Sequence, residues 1–259
     1  MIKVVVGGAS GRLGSMICDL VRQQSDMQLV AGVVSDTGSH AGKEVAPGCR
    51  LFPASEIDKA LERADVYVDV TSPSAAAKNL MKVPPLGINC VVGTTGLPEE
   101  LLKSFEASVL ENNISAVVSP NFSVGVNVFW KMCGVLAAVL ENYDIEIIET
   151  HHDKKKDAPS GTATKAAQIV SEVTGIDSIV YGRQGLVGAR GREIGVHAVR
   201  AGDVVGEHTI IFAGNRERVE LTHRAHSRET FAEGCQTANR WDSARRDGKV
   251  HSMAEVLGL

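Results

Sequence analysis

Two adjacent histidines, a lysine cluster and a Ser-Gly-Thr triplet fall together in the stretch Glu149-Thr150-His151-His152-Asp153-Lys154-Lys155-Lys156-Asp157-Ala158-Pro159-Ser160-Gly161-Thr162-Ala163. Imidazole titrates near neutral pH, so the histidines offer a proton donor or acceptor. The lysines supply positive charge for anionic groups. Ser160, Gly161 and Thr162 stand where a helix begins, and the open N–H groups of a helix start favour a carboxylate. Such a loop suits a small polyanionic substrate. Two plainer readings compete: the histidines as metal ligands, and the lysines as a solvated face. No third ligand sits at a recognisable spacing and no H-x-x-x-H pattern occurs, so no metal site is expected. Solvation explains some of the three lysines.

A second constellation, Gly8-Ala9-Ser10-Gly11-Arg12-Leu13-Gly14, lies between an apolar run and an amphipathic one. Its spacing is G-x-x-G-x-x-G rather than the strict G-x-G-x-x-G fingerprint, but the physics is shared. Small residues let backbone N–H groups at a helix start approach a pyrophosphate. The plain alternative is a tight turn with close helix packing. Dinucleotide sites usually place a carboxylate at the end of the second strand, to hold the adenosine ribose. Here that turn reads Val33-Val34-Ser35-Asp36, with the acid one or two residues late. Losing the carboxylate removes a ligand for the ribose diol and also removes repulsion of a 2'-phosphate. NADPH is therefore expected to be accepted at least as well as NADH, with Ser35 and Arg12 as candidate phosphate contacts.

These residues need a scaffold, and the hydrophobic pattern supplies one. Apolar runs at Ile2 to Val6, Leu29 to Val34, Val66 to Val70, Cys90 to Val92 and Ile114 to Val118 read as strands, each ending in small or polar residues. Helical spacing appears from Leu13 to Val21 and near 56–63, 74–82 and 98–112. Alternating strands and helices predict an α/β fold: a Rossmann-like, doubly wound parallel sheet that binds ligands at its carboxyl edge. After Asn127 the pattern changes to a helix with an apolar stripe, a strand over 144–150, a helix over 162–173, and strands around 194–198, 209–212 and 219–223. This predicts a second α+β domain with an open mixed sheet. The expected division is a dinucleotide-binding domain over 1–122, completed by a helical tail over 231–259, and a substrate-binding and oligomerisation domain over 123–230.

Composition narrows the function classes. The chain has 259 residues and a formal net charge of -4. No basic excess calls for a nucleic-acid partner, and the longest uncharged stretch, Asn112 to Trp130, is too rich in polar residues for a membrane span. The N-terminal apolar run is too short for a signal-peptide core, so no export is expected. Five widely spaced cysteines with no C-x-x-C pair suit reduced thiols in the cytoplasm. Glycine, at 26 residues, is about a tenth of the chain against a typical ~7%, with no collagen-like period.

Taken together, the glycine loop, Gly93-Thr94-Thr95-Gly96, Ser119-Pro120-Asn121-Phe122-Ser123-Val124-Gly125-Val126-Asn127, the 151–163 loop, and Val199-Arg200-Ala201-Gly202-Asp203-Val204-Val205-Gly206-Glu207-His208 resemble the 4-hydroxy-tetrahydrodipicolinate reductase family over essentially the whole chain. The resemblance implies an NAD(P)H-dependent oxidoreductase of lysine and diaminopimelate biosynthesis, cytoplasmic and homotetrameric. By position it makes His151 a proton donor or acceptor and Lys155 the second donor. It makes His152 a substrate contact and sets one substrate carboxylate on Ser160, Gly161 and Thr162. Cofactor contacts would be Gly8, Ala9, Ser10, Gly11, Arg12, Leu13, Ser35, Gly93, Thr94, Thr95, Ser119, Pro120, Asn121 and Phe122, with hinges near Ser123 to Asn127 and Arg228 to Phe231. Lys154 and Lys156 match no family position. The family commonly has an acid where Val34 falls and an arginine where Ser35 falls, so the sequence departs from the pattern there, at the residues that bear on nucleotide preference. Two other readings remain: a related oxidoreductase for another anionic imine or aldehyde, which need not have this loop, and a non-catalytic dinucleotide sensor, which could lose His151 and Lys155.

Overall fold

The computed structural model describes residues 1–46 and 48–259, which separate into two compact units, residues 1–123 with 229–259 and residues 124–228. The first unit opens with β1 (Ile2–Gly7), α1 (Arg12–Gln23), β2 (Met27–Val34), β3 (Glu44–Ala46), β4 (Cys49–Pro53), α2 (Ile57–Leu61), β5 (Val66–Asp69) and α3 (Pro73–Asn79). It continues through β6 (Asn89–Val92), α4 (Glu99–Glu111) and β7 (Ser115–Val118). The second unit holds α5 (Val124–Val139), β8 (Asp144–His151), α6 (Gly161–Thr174), β9 (Ile179–Tyr181), β10 (Ile194–Arg200), β11 (Gly206–Gly214) and β12 (Glu217–Ala225). The chain then returns to the first unit with α7 (Glu229–Ser243), β13 (Lys249–His251) and α8 (Met253–Leu257).

The eight strands of the first unit lie in the order β13-β7-β6-β5-β1-β2-β4-β3. All pairs are parallel except β3–β4. Val4, Val5 and Val6 are wholly buried, as the strand of a sheet covered on both faces requires. One face packs on α1, α7 and α8 through Ile17, Val21, Cys235 and Met253, and the other on α2, α3 and α4 through Ile57, Ala76 and Phe105. The short strands β4 and, at the edge, β3 are absent from the sequence reading. They span three and five residues, with Glu44 and Arg50 interrupting any apolar run.

The sheet of the second unit has the order β12-β11-β8-β10-β9. Its strands pair in parallel around β10 and antiparallel around β11, so the sheet is mixed. On β8 the period of two sends Ile145, Ile147, Glu149 and His151 to the buried side. The first two join Phe129, Cys133, Ala166 and Phe212 in the core. The last two leave the apolar core as the strand ends, and there they become the centre of a polar network. All five cysteines are buried and unpaired, and burial raises the Cys18 and Cys49 thiols to about 12 and about 11.

Candidate active site

In the second unit His151 closes β8 and is 9% exposed. Its Nδ1 lies 2.6 Å from Glu149 Oε2. Glu149 is fully buried, and Arg200, at the end of β10, donates to both of its oxygens at 2.8 Å, while the Ser160 N–H donates to Oε1 at 3.0 Å. Burial alone would raise this carboxyl group. Hydrogen bonds from His151 and Arg200 more than offset it and hold Glu149 down at about 2. An ionised acceptor on Nδ1 places the proton of the neutral ring there and leaves the Nε2 lone pair free. Nε2 has no partner among the described residues. A Cβ on Gly206, the first residue of β11, would come within 3.0 Å of it. Glycine at 206 keeps that side of the ring open.

Lys155 follows on the loop, its Nζ 2.9 Å from both oxygens of Asp157. Lys154 and Lys156 are exposed, and Lys155 is half-buried. His152 accepts a hydrogen bond from Arg228 at 3.1 Å; burial and then the Arg228 charge lower its pKa, favouring the neutral ring. Ser160 caps α6, its Oγ accepting from the Ala163 N–H. That Oγ also lies 2.9 Å from His208 Nε2, and the Ser160 N–H is committed to Glu149, so this 2% exposed residue supports the site from behind. Gly161, by contrast, is exposed, and a Cβ there would meet no protein atom within 4 Å. Glycine at this position answers to no need of the protein's own packing. His208 crosses the His151 ring edge-on at 5.1 Å, and burial followed by the His151 charge pushes it down to about 3.

In the first unit, Gly8 has φ +81°, and a Cβ there would stand 2.6 Å from the Val70 carbonyl oxygen. The N–H groups of Gly8 and Ala9 are spent on Val33 O, and that of Gly11 on Gly8 O. The side chain of Ala9 is 2% exposed. Among the described residues, the N–H groups that carry no partner are those of Ser10, Arg12, Leu13 and Gly14, at the start of α1, which lacks a side-chain cap. A cavity of about 540 Å³ opens beside them, lined by Gly8, Gly11, Ser35, Thr37, Ser74 and Lys78, among others. These features fit a dinucleotide: backbone donors at a helix start and a left-handed glycine that brings the chain close to the ligand. Arg12 is exposed on the first turn of α1 and is not part of the cavity wall. Asp36 gives its carboxylate to the Ser55 N–H at 2.8 Å, and that bond lowers its pKa.

The other sequence-derived cofactor residues divide in two. Gly93 could not carry a side chain, since a Cβ would reach within 2.5 Å of the Phe122 ring, and Phe122 itself is 2% exposed in the core. The Thr94 hydroxyl donates to Asp69 at 2.5 Å and accepts from the Thr71 N–H at 2.8 Å. Ser119 Oγ folds back onto the Asn121 carbonyl at 2.8 Å, and Asn121 Oδ1 accepts from the Ser123 N–H at 2.9 Å. Thr95 and Pro120 are exposed. Buried Asp69, at the end of β5, also accepts from Tyr67 and from the Thr71 hydroxyl, tying the β5 and β6 turns together.

A family model described as dihydrodipicolinate reductase, N-terminus, matches residues 2–122, and its companion, dihydrodipicolinate reductase, C-terminus, matches residues 125–257. The chain belongs to the dihydrodipicolinate reductase family. Membership makes it an NAD(P)H-dependent oxidoreductase of the lysine and diaminopimelate route. The 4-hydroxy-tetrahydrodipicolinate reductase of Methanocaldococcus jannaschii is 47% identical, covering 100% of this chain and 98% of the relative. That of Methanosarcina barkeri is 46% identical, covering 100% of both. The dipicolinate-bound dihydrodipicolinate reductase from Paenisporosarcina sp. TG-14 superimposes with a TM-score of 0.83 at 27% identity, over 98% of each chain. Within the family frame, the residues that the sequence reading left without a role are Glu149, Arg200, His208, Asp69 and Lys78. Glu149 could have been found from its period-two spacing to His151. The others reach their sites only through strand pairing or helix placement.

Proposed function

We propose that the chain reduces 4-hydroxy-tetrahydrodipicolinate to tetrahydrodipicolinate, with NADPH preferred or equalled by NADH. Loss of water from the 4-hydroxy substrate leaves a conjugated imine dicarboxylate. The reduced nicotinamide, when bound, supplies the hydride that adds at C4. Negative charge then develops across the conjugated carbon and nitrogen, where a nearby imidazolium and ammonium lower the barrier and one of them delivers the proton. The carrying observation is the His151 ring, oriented through Nδ1 by buried Glu149 and open at Nε2. Lys155 on the same loop supplies the second cation, and Gly161, at the start of α6, offers an N–H with no partner among the described residues to a substrate carboxylate.

The cofactor reading is argued from the first unit. Uncapped N–H groups at α1 receive the pyrophosphate. The tied-down Asp36 carboxylate, with Ser35, Thr37 and Lys78 on the cavity wall, favours a 2'-phosphate over a bare ribose diol. The family resemblance supports a homotetramer, a size exclusion chromatography would report. The activity is tested by following reduced-nicotinamide absorbance on addition of freshly made 4-hydroxy-tetrahydrodipicolinate, against pyruvate or aspartate semialdehyde alone. Consumption only with the cyclic substrate is expected. Equal consumption with aspartate semialdehyde would favour the related-oxidoreductase reading, and none with any substrate would favour the sensor.

A further inference from the structure

Arg200 pairs in register with His151 in the parallel β8–β10 ladder. Its guanidinium grips both oxygens of Glu149 at 2.8 Å and donates to the carbonyl of Asp157 at 2.7 Å. The Asp157 carboxylate in turn holds Lys155 Nζ at 2.9 Å. One polar chain thus runs from His151 Nδ1 through Glu149, Arg200 and Asp157 to Lys155.

We propose that Arg200 is a positioning residue that couples the two proton-bearing groups of the site. It neutralises Glu149, so the carboxylate orients His151 without locking the ring in its protonated form, and it fixes the backbone that carries Asp157 and Lys155. The physical ground is the burial of Glu149. A lone carboxylate 2.6 Å from an imidazole, out of water, strongly favours the imidazolium. A bidentate guanidinium on the same two oxygens cancels much of that field. The groups around His151 are Glu149 on its own strand, Arg200 from β10, His208 from β11 and the adjacent His152, with the Lys155 charge acting on His152 and His208. Neutral His208 adds no charge near neutral pH, so Arg200 is the permanent cation in direct contact with the orienting carboxylate.

The test is the ring titration of His151 in the full chain, followed by NMR, in the wild type and in Arg200→Met, Arg200→Gln and Glu149→Gln. Both arginine variants leave Glu149 uncompensated, so the titration should move up by about 1 pH unit. Glu149→Gln removes the field, so it should move down. Arg200→Gln keeps a hydrogen-bond donor without the charge, and it carries the test should Arg200→Met fail to fold. The alkaline limb of kcat/KM should follow in the same directions, because activity falls as the acid form of His151 is lost. This last readout rests on the reductase reading. Absent turnover with the ring shifts present would strike that reading alone. An unmoved ring titration in the arginine variants, or movement in the same direction in all three variants, would overturn the role of Arg200.

Discussion

His151 and Lys155 are held in different ways although they share a loop. The histidine is anchored by a buried carboxylate at 2.6 Å and is nearly enclosed, whereas the lysine is held by an exposed one, Asp157. Exposed ion pairs are weak, so in the proposed reaction Lys155 exchanges Asp157 for a substrate group at small cost. In the cavity beside α1, Lys78 is the cation among the described lining residues, and Arg12, the residue singled out from sequence, is not part of that wall. Lys78→Ala should weaken NADPH binding roughly tenfold, the value of one charge-assisted hydrogen bond, and leave NADH binding within twofold. Fluorescence titration of both cofactors measures this. Equal weakening of the two, or of neither, would remove Lys78 from the phosphate end.

Strand β8 and the starts of α1 and α6 turn these side chains into sites. The alternation on β8 was legible in the sequence, and so was the strand–glycine–helix order around α1. The β3, β4, β9 and β13 strands were not: they are short, and unlike the wholly or mostly buried runs of β5, β6 and β7 they are partly exposed and gain their conformation from the neighbour they pair with. Arg200 and His208 were legible only inside a family motif, without roles, because 51 residues separate Arg200 from the carboxylate that it grips and 48 separate His208 from Ser160. The two helix starts also use glycine differently. Gly8→Ala would place a Cβ 2.6 Å from a backbone oxygen in a left-handed conformation, costing about 1–3 kcal/mol. It should lower the thermal midpoint and cofactor affinity together. Gly161→Ala meets open space, so the thermal midpoint should stay and KM for the dicarboxylate should rise. An unchanged KM would separate Gly161 from the substrate.

For the whole molecule, acid stability concentrates in the second unit. Burial would raise both Glu146 and Glu149, but ion-pair hydrogen bonds lower each from 4.5 to about 2: Arg183, His197 and Arg190 on Glu146, His151 and Arg200 on Glu149. A depressed carboxyl group stabilises the fold above its unfolded value, and that contribution drains away as pH falls towards the folded one. The thermal midpoint should therefore drop between pH 4.5 and about 2, and drop less in Glu146→Gln. A flat profile over that window would contradict the ion-pair geometry. In the proposed reaction the chemistry rests on the loop that β8 delivers to α6 rather than on helix or strand order. The most direct test is single-turnover hydride transfer in Lys155→Ala, with cofactor affinity measured alongside. The rate should fall by about 10²–10⁴, with NADPH affinity within twofold of wild type. An unchanged transfer rate would contradict the placement of proton delivery on this loop.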